Sequence, residues 1–127
     1  MRACNADPMR RRTHLVIGTA AFVLYQLALE AACPAAQYPW FIGFFAAAVG
    51  SVFPDTLEPG TSIHHRGICH SRGALKLVSV LFIITAATAL FALPVPHPVL
   101  VYLASCFLAG YASHLLADSC TRMGLPG

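Results

Sequence analysis

The stretch from Pro54 to Ser71, PDTLEPGTSIHHRGICHS, concentrates side chains that can hold a metal ion or move a proton. It carries two of the chain's five acidic residues, Asp55 and Glu58, and three of its six histidines, His64, His65 and His70. Much later in the chain, His114 and Asp118 stand four residues apart inside an apolar run. On a helix that spacing puts both side chains on one face. An imidazole and a carboxylate so placed can chelate one hard or borderline metal ion. The competing reading is a hydrogen-bonded polar pair that caps a helix end, because His-x-x-x-Asp also arises by chance. Ionisable groups within apolar runs are costly and usually functional, which favours the site.

The other candidates each have a plain structural alternative. Asp55 follows Pro54 and could simply bind nearby backbone amides, as Asp after Pro often does. His65 and His70 flank Arg66-Gly67-Ile68-Cys69, and a loop with Gly67 can fold so that both imidazoles converge. Taken singly, each histidine reads as a residue of the membrane interface, and His64 fits that description best. His14 sits at the first turn of the first apolar run, where a histidine is more often an interface residue than a ligand. His97 lies between prolines, at the opposite end of the predicted bundle, and falls outside the site.

These residues need a scaffold, and the composition says which solvent it faces. Of 127 residues, 57% are hydrophobic and only 10% charged, with a mean hydropathy of +0.68. Soluble domains carry about 25% charged residues. A chain this poor in charge cannot keep its surface wet, so the membrane is the better solvent. The length suits one domain, 1–127. Five cysteines, Cys4, Cys33, Cys69, Cys106 and Cys120, are odd in number and contain no Cys-x-x-Cys pair, which argues against a disulfide framework or a thiolate zinc knuckle.

Four apolar runs follow a polar tail, residues 1–13, that is expected to be flexible. They span Leu15 to about Cys33, Trp40 to Phe53, Ala74 to Leu93, and Val99 to Leu116. At ~1.5 Å per residue the longer ones can cross a ~30 Å hydrocarbon core, whereas the second is short for a span and is expected to end at Pro54. Tyr38 and Trp40 suit an interfacial aromatic belt. Gly43 and Gly50 permit close helix contact. Ser71 reads as the N-cap of the third helix. The expected fold is therefore an all-α integral membrane bundle of about four transmembrane helices, with a polar metal-site loop on one face.

Charge fixes the orientation expected of that bundle. With four antiparallel spans, all eight basic residues fall on the face that receives both termini and the loop after the second run. The positive-inside rule makes that face cytoplasmic. His14, Asp55, His65, His70, His114 and Asp118 fall at span ends on this same face, although they played no part in the assignment. That coincidence supports both the topology and a shared site.

Several short elements carry a family resemblance. Arg12-Thr13-His14, Gly50-Ser-Val-Phe-Pro-Asp55, His65-Arg-Gly-Ile-Cys-His70-Ser71 and Gly110-Tyr-Ala-Ser-His114-Leu-Leu-Ala-Asp118, with Thr121 and Gly124, resemble the YdjM-like family of inner-membrane proteins. The elements match in order and span nearly the whole chain; the His65-to-Ser71 element is the most specific. The resemblance implies a small helical membrane protein with metal-dependent hydrolase activity. It also implies a distant similarity to zinc-dependent phospholipases C and related nucleases, in which a helical His-x-x-x-Asp pair holds catalytic zinc. Two positions depart from the family pattern: Leu57 stands where Asp is common, with Glu58 next to it, and Cys69 stands where Thr is common.

With the resemblance included, the expected ligands are Asp55, His65, His70, His114 and Asp118, with His14 holding a second ion that Asp118 bridges. Mixed imidazole and carboxylate donors suit zinc, ahead of manganese or iron, better than calcium or copper. Arg66 is expected to stabilise charge on a phosphoryl oxygen and Glu58 to accept a proton from water. The expected reaction is phosphoester hydrolysis, with a lipid-linked phosphoester as one candidate substrate, at the cytoplasmic face of the inner (plasma) membrane. The expected partners are the lipid bilayer and such a substrate, with no nucleic acid. The rival reading is a non-catalytic metal-binding or metal-transporting membrane protein. A transporter should show ionisable groups deep in its spans, and Glu30, the one acidic candidate away from the cluster, is expected near the outer interface, which weakens that rival.

Overall fold

Each apolar run forms one helix, and the helices are antiparallel neighbours. The computed structural model describes residues 8–57, 67–120 and 125. Helix α1 is Pro8–Ala32, α2 is Trp40–Leu57, α3 is Arg72–Leu90 and α4 is Pro98–Ser119, with a short 3-10 turn at Ile68–His70 before α3. All four helices are long and apolar enough to cross a membrane, and no strand occurs among the described residues. Large apolar side chains such as Val16, Leu24, Ile83 and Leu100 point outward, which is favourable where the solvent is hydrocarbon.

Helix α4 is the hub. It packs against α1, α2 and α3, while α1 and α3 barely meet. Half of its apolar window (50%) is buried, against 17–28% for the other three. The tightest seam is with α2. A Cβ at Gly110 would collide with the Ala47 carbonyl oxygen, and one at Gly50 with the Phe107 carbonyl oxygen. Backbone therefore meets backbone from both sides, the contact that small residues permit in membranes. Gly43 has a different task, leaving room for the Tyr102 hydroxyl.

The helix ends differ in places from the sequence-based expectation. Helix α1 starts at Pro8, ahead of the apolar run, so Arg10, Arg11 and Arg12 are already helical. Proline is well suited to a first helical position, where its missing N–H would be unsatisfied anyway. Helix α2 runs through Pro54 to Leu57 instead of stopping there. The proline removes one intrahelical bond, at a cost of about 3 kcal/mol. Pro54 is fully buried, so its packing in the bundle opposes that cost. Helix α3 begins where expected, with the Ser71 hydroxyl oxygen accepting from the Ala74 N–H at 3.0 Å. It ends at Leu90, short of Leu93, and Ala92 then turns the chain with a φ of 47°. Cys33, Cys69, Cys106 and Cys120 form no disulfide.

Candidate metal centre

Four separate elements deliver candidate ligands to one end of the bundle. His14 lies in the second turn of α1, Asp55 in the last turn of α2, and His70 closes the 3-10 turn. His114 and Asp118 lie one turn apart near the end of α4, as their spacing predicts. His70 Nε2 is 3.3 Å from Asp55 Oδ1 and 3.3 Å from His114 Nε2. His114 Nε2 is 3.5 Å from Asp55 Oδ1 and 3.4 Å from Asp118 Oδ2. Asp118 Oδ2 is 3.8 Å from His70 Nε2. Zinc–nitrogen and zinc–oxygen bonds of ~2.0–2.2 Å in a tetrahedron space the donors roughly 3.3–3.6 Å apart. The contacts among these donors are close to that spacing, or slightly wider.

The protonation pattern makes the same demand. His114 Nδ1 lies 2.7 Å from the Ser51 carbonyl oxygen, which can only accept, so Nδ1 carries a proton. In the neutral ring Nε2 is then a bare lone pair. That lone pair faces another imidazole nitrogen and two carboxylate oxygens. His114 is fully buried, and His70 and Asp118 are nearly so. An acceptor away from water needs a partner there, either a proton held by His70 or a carboxyl group, or a metal ion. The Ser51 contact is also the usual way a metal-binding histidine is oriented: a carbonyl takes the far N–H and aims the near nitrogen. Proline at position 54 leaves the Gly50 carbonyl without its helical partner and loosens α2 at this level. Gly50 and Gly110 then bring that stretch within reach of His114.

His14 adds a second group of three. Its ring stacks on His114 with centroids 3.9 Å apart, and its Nε2 lies 3.5 Å from Asp118 Oδ1. The Asp118 carboxylate is thus shared, one oxygen towards His14 and the other towards His70 and His114. His14, His114 and Asp118 form one set able to hold a metal ion, and Asp55, His70 and His114 form another. Asp55 is the exception in burial. Its side chain keeps 31% of its surface exposed, so the centre is most open on that side.

Not every expected residue is in view. Glu58, His64, His65 and Arg66 lie outside the described residues. His97 caps the start of α4, at the far end of that helix from His114 and Asp118, as expected. Cys69 belongs to neither metal-holding set. Two residues that sequence reading did not single out touch the centre's frame. Ser51 orients His114 through its carbonyl, and Tyr111 reaches the backbone next to His70. Tyr111 precedes His114 by three residues, but both contacts run through backbone carbonyls, which residue spacing does not report.

The family comparison agrees with this architecture. The model of the YdjM inner membrane protein family matches residues 9–126, which takes in all four helices and every ligand described above. Neither curated proteins nor solved structures give a significant match. The matched segment covers nearly the whole chain, and the chain belongs to the YdjM inner membrane protein family.

Proposed function

We propose that this protein is a zinc-dependent membrane hydrolase that cleaves a phosphoester at the cytoplasmic surface. The observation that carries the reading is the convergence of two sets of side chains able to hold a metal ion, Asp55, His70 and His114, and His14, His114 and Asp118, in a largely buried place. Zinc fits a donor set of imidazole and carboxylate without thiolate. A divalent ion held there supplies Lewis acidity and brings the deprotonation of water close to neutral pH. Asp55, His70, His114 and Asp118 would hold the first ion, and His14 together with Asp118 would hold a second. His65 completes the ligand set from the loop. In the same loop, Arg66 meets the phosphoryl charge and Glu58 takes the proton from water. The open side at Asp55 admits substrate. Its position at a membrane surface favours a lipid-linked or amphiphilic one. Both termini face the cytoplasm on the charge asymmetry of the sequence.

One observation favours a second reading. His14, His70, His114 and Asp118 are buried, and closed shells shielded from water are typical of structural zinc. The non-catalytic alternative is a membrane protein that holds an ion without turnover. Metal analysis of detergent-purified protein, paired with an assay on model phosphodiesters, separates the two. Wild type should contain zinc and hydrolyse the substrate. Asp118→Asn keeps the shape of the carboxylate but not its charge, and should lose both. Zinc retained with no hydrolysis of any phosphoester leaves the second reading. Equal metal content in wild type, Asp118→Asn and His97→Ala removes both. Reporter fusions to the C-terminus and the 94–98 turn test the orientation, and a periplasmic C-terminus would overturn it.

A further inference from the structure

Of the ligands in the four-donor group, His70 alone is not carried by a long helix. It ends a 3-10 turn of three residues, and that turn must hold its imidazole to a few tenths of an ångström for an ion to bind well. The turn has internal bonds: His70 N–H to the Gly67 carbonyl at 3.2 Å, and the Ser71 hydroxyl to the Ile68 carbonyl at 2.8 Å. These shape the turn but do not fix its place against the bundle. The contacts of His70 with Asp55, His114 and Asp118 hold the imidazole itself. On the metal reading they are also the donor-to-donor edges of the centre, so the backbone that carries His70 needs its own hold on the bundle.

A bond that does cross to the bundle comes from α4. The Tyr111 hydroxyl donates to the Cys69 carbonyl oxygen at 3.2 Å, on the residue before His70. Tyr111 is three residues before His114, so the helix that carries two of the ligands also grips the turn that carries a third. Its ring is braced edge-on by Phe107 at 6.3 Å and Phe53 at 6.4 Å, and those two rings pack on each other at 5.3 Å. Phe53 comes from α2, two residues before Asp55. Tyr111 thereby ties together the three elements that hold the four donors.

We propose that Tyr111 is a positioning residue of the metal centre, fixing His70 through the Cys69 carbonyl. The proposal rests on the metal reading above. Residues that orient ligands typically cost 10–100-fold in metal affinity when removed. The test is cobalt(II) and zinc(II) binding to the full-length protein in detergent, with Tyr111→Phe as the variant that keeps the ring. The expected result is a 10–100-fold loss of affinity and an altered visible absorption band of bound cobalt, with metal-free helicity and melting unchanged. In a His70→Ala background, Tyr111→Phe should cost nothing more, because the residue it positions is gone. Unchanged affinity and spectrum in Tyr111→Phe overturn the proposal while leaving the metal centre intact. An equal loss with and without His70 also overturns it, since the tyrosine would then act on the bundle at large. A wild-type protein that binds neither ion removes the metal reading, and this proposal with it.

Discussion

The two ends of the bundle bury polar groups in opposite ways. Towards the far end, neutral side chains satisfy one another. Tyr25 donates to the Ser105 hydroxyl at 2.6 Å, and Ser105 passes its own proton to the Tyr102 carbonyl at 2.7 Å. The Tyr102 hydroxyl donates to Gln26 Oε1 at 2.9 Å, and Gln26 donates on to Glu30 at 3.0 Å. Hydroxyls and amides each bring both a donor and an acceptor, so such a chain can close on itself. At the near end, His14, His70, His114, Asp55 and Asp118 bring imidazoles and carboxylates together. The same four helices thus carry one cluster built mainly of hydroxyls and amides and one built of groups that can ligate a metal ion. The first acts as an adhesive between helices. The second has the character of a binding site. The far-end network also holds Glu30 by a neutral amide at an exposed position, which gives no support to a transport path through the bundle.

The largest effect should come from His114→Ala. It removes a ligand shared by both metal-holding sets, and we expect metal affinity to fall by more than ~100-fold, measured by competition with a chelator. The protein should still insert, because its apolar runs are untouched. Tyr25→Phe, the matching change at the far end, should leave metal affinity unaltered. If the two variants bind metal equally, the distinction between the ends collapses.

Removing the ion itself should come next. Binding to the folded state alone stabilises it by about 2.7 kcal/mol when free ion stands at one hundred times its dissociation constant. Chelator should therefore lower the melting temperature of wild type and of Tyr25→Phe, but not that of His114→Ala. A chelator effect of equal size in all three would show that it acts elsewhere.

The glycines sharpen the comparison. Gly110→Ala drives a methyl group into the Ala47 carbonyl and should cost about 1–3 kcal/mol in detergent-unfolding measurements. It should weaken metal binding as well, since it parts α2, with Ser51 and Asp55, from His114. Gly43→Ala strikes Tyr102 instead, and should cost stability without touching metal affinity. Loss of metal binding in both would mean that the ends are mechanically coupled.

The smallest effect belongs to Tyr25→Phe taken alone. Hydrogen bonds between membrane helices average about 0.6 kcal/mol and reach about 1.7. Unfolding measurements should return a loss in that range.

Much of this was legible beforehand. Four apolar runs bounded by proline and glycine became four helices, because runs of that length leave few other ways to satisfy a backbone in lipid. The spacing of His114 and Asp118 gave their shared face, and antiparallel counting brought His14, Asp55 and His70 to the same end. Pro54 was misleading. A rule about local propensity placed a helix end there, and packing against α4 carried the helix through. Ser51 and Tyr111 were invisible for another reason. Both act through backbone carbonyls, one supplying its own and the other gripping that of Cys69. No pattern of side-chain types reports which carbonyl a distant residue will meet.

The position of α4 as the hub has a consequence for how the protein is made. The chain emerges N-terminus first, and helices enter the membrane before they associate. The helix that all others lean on follows them in the chain, and it brings both His114 and Asp118. Until it arrives, His14, Asp55 and His70 have no common partner. The centre cannot be loaded during synthesis of the first three helices. On the proposed metal reading, uptake of an ion would report that the last helix has been delivered, and a ribosome stalled before α4 would leave a membrane-inserted chain without the centre.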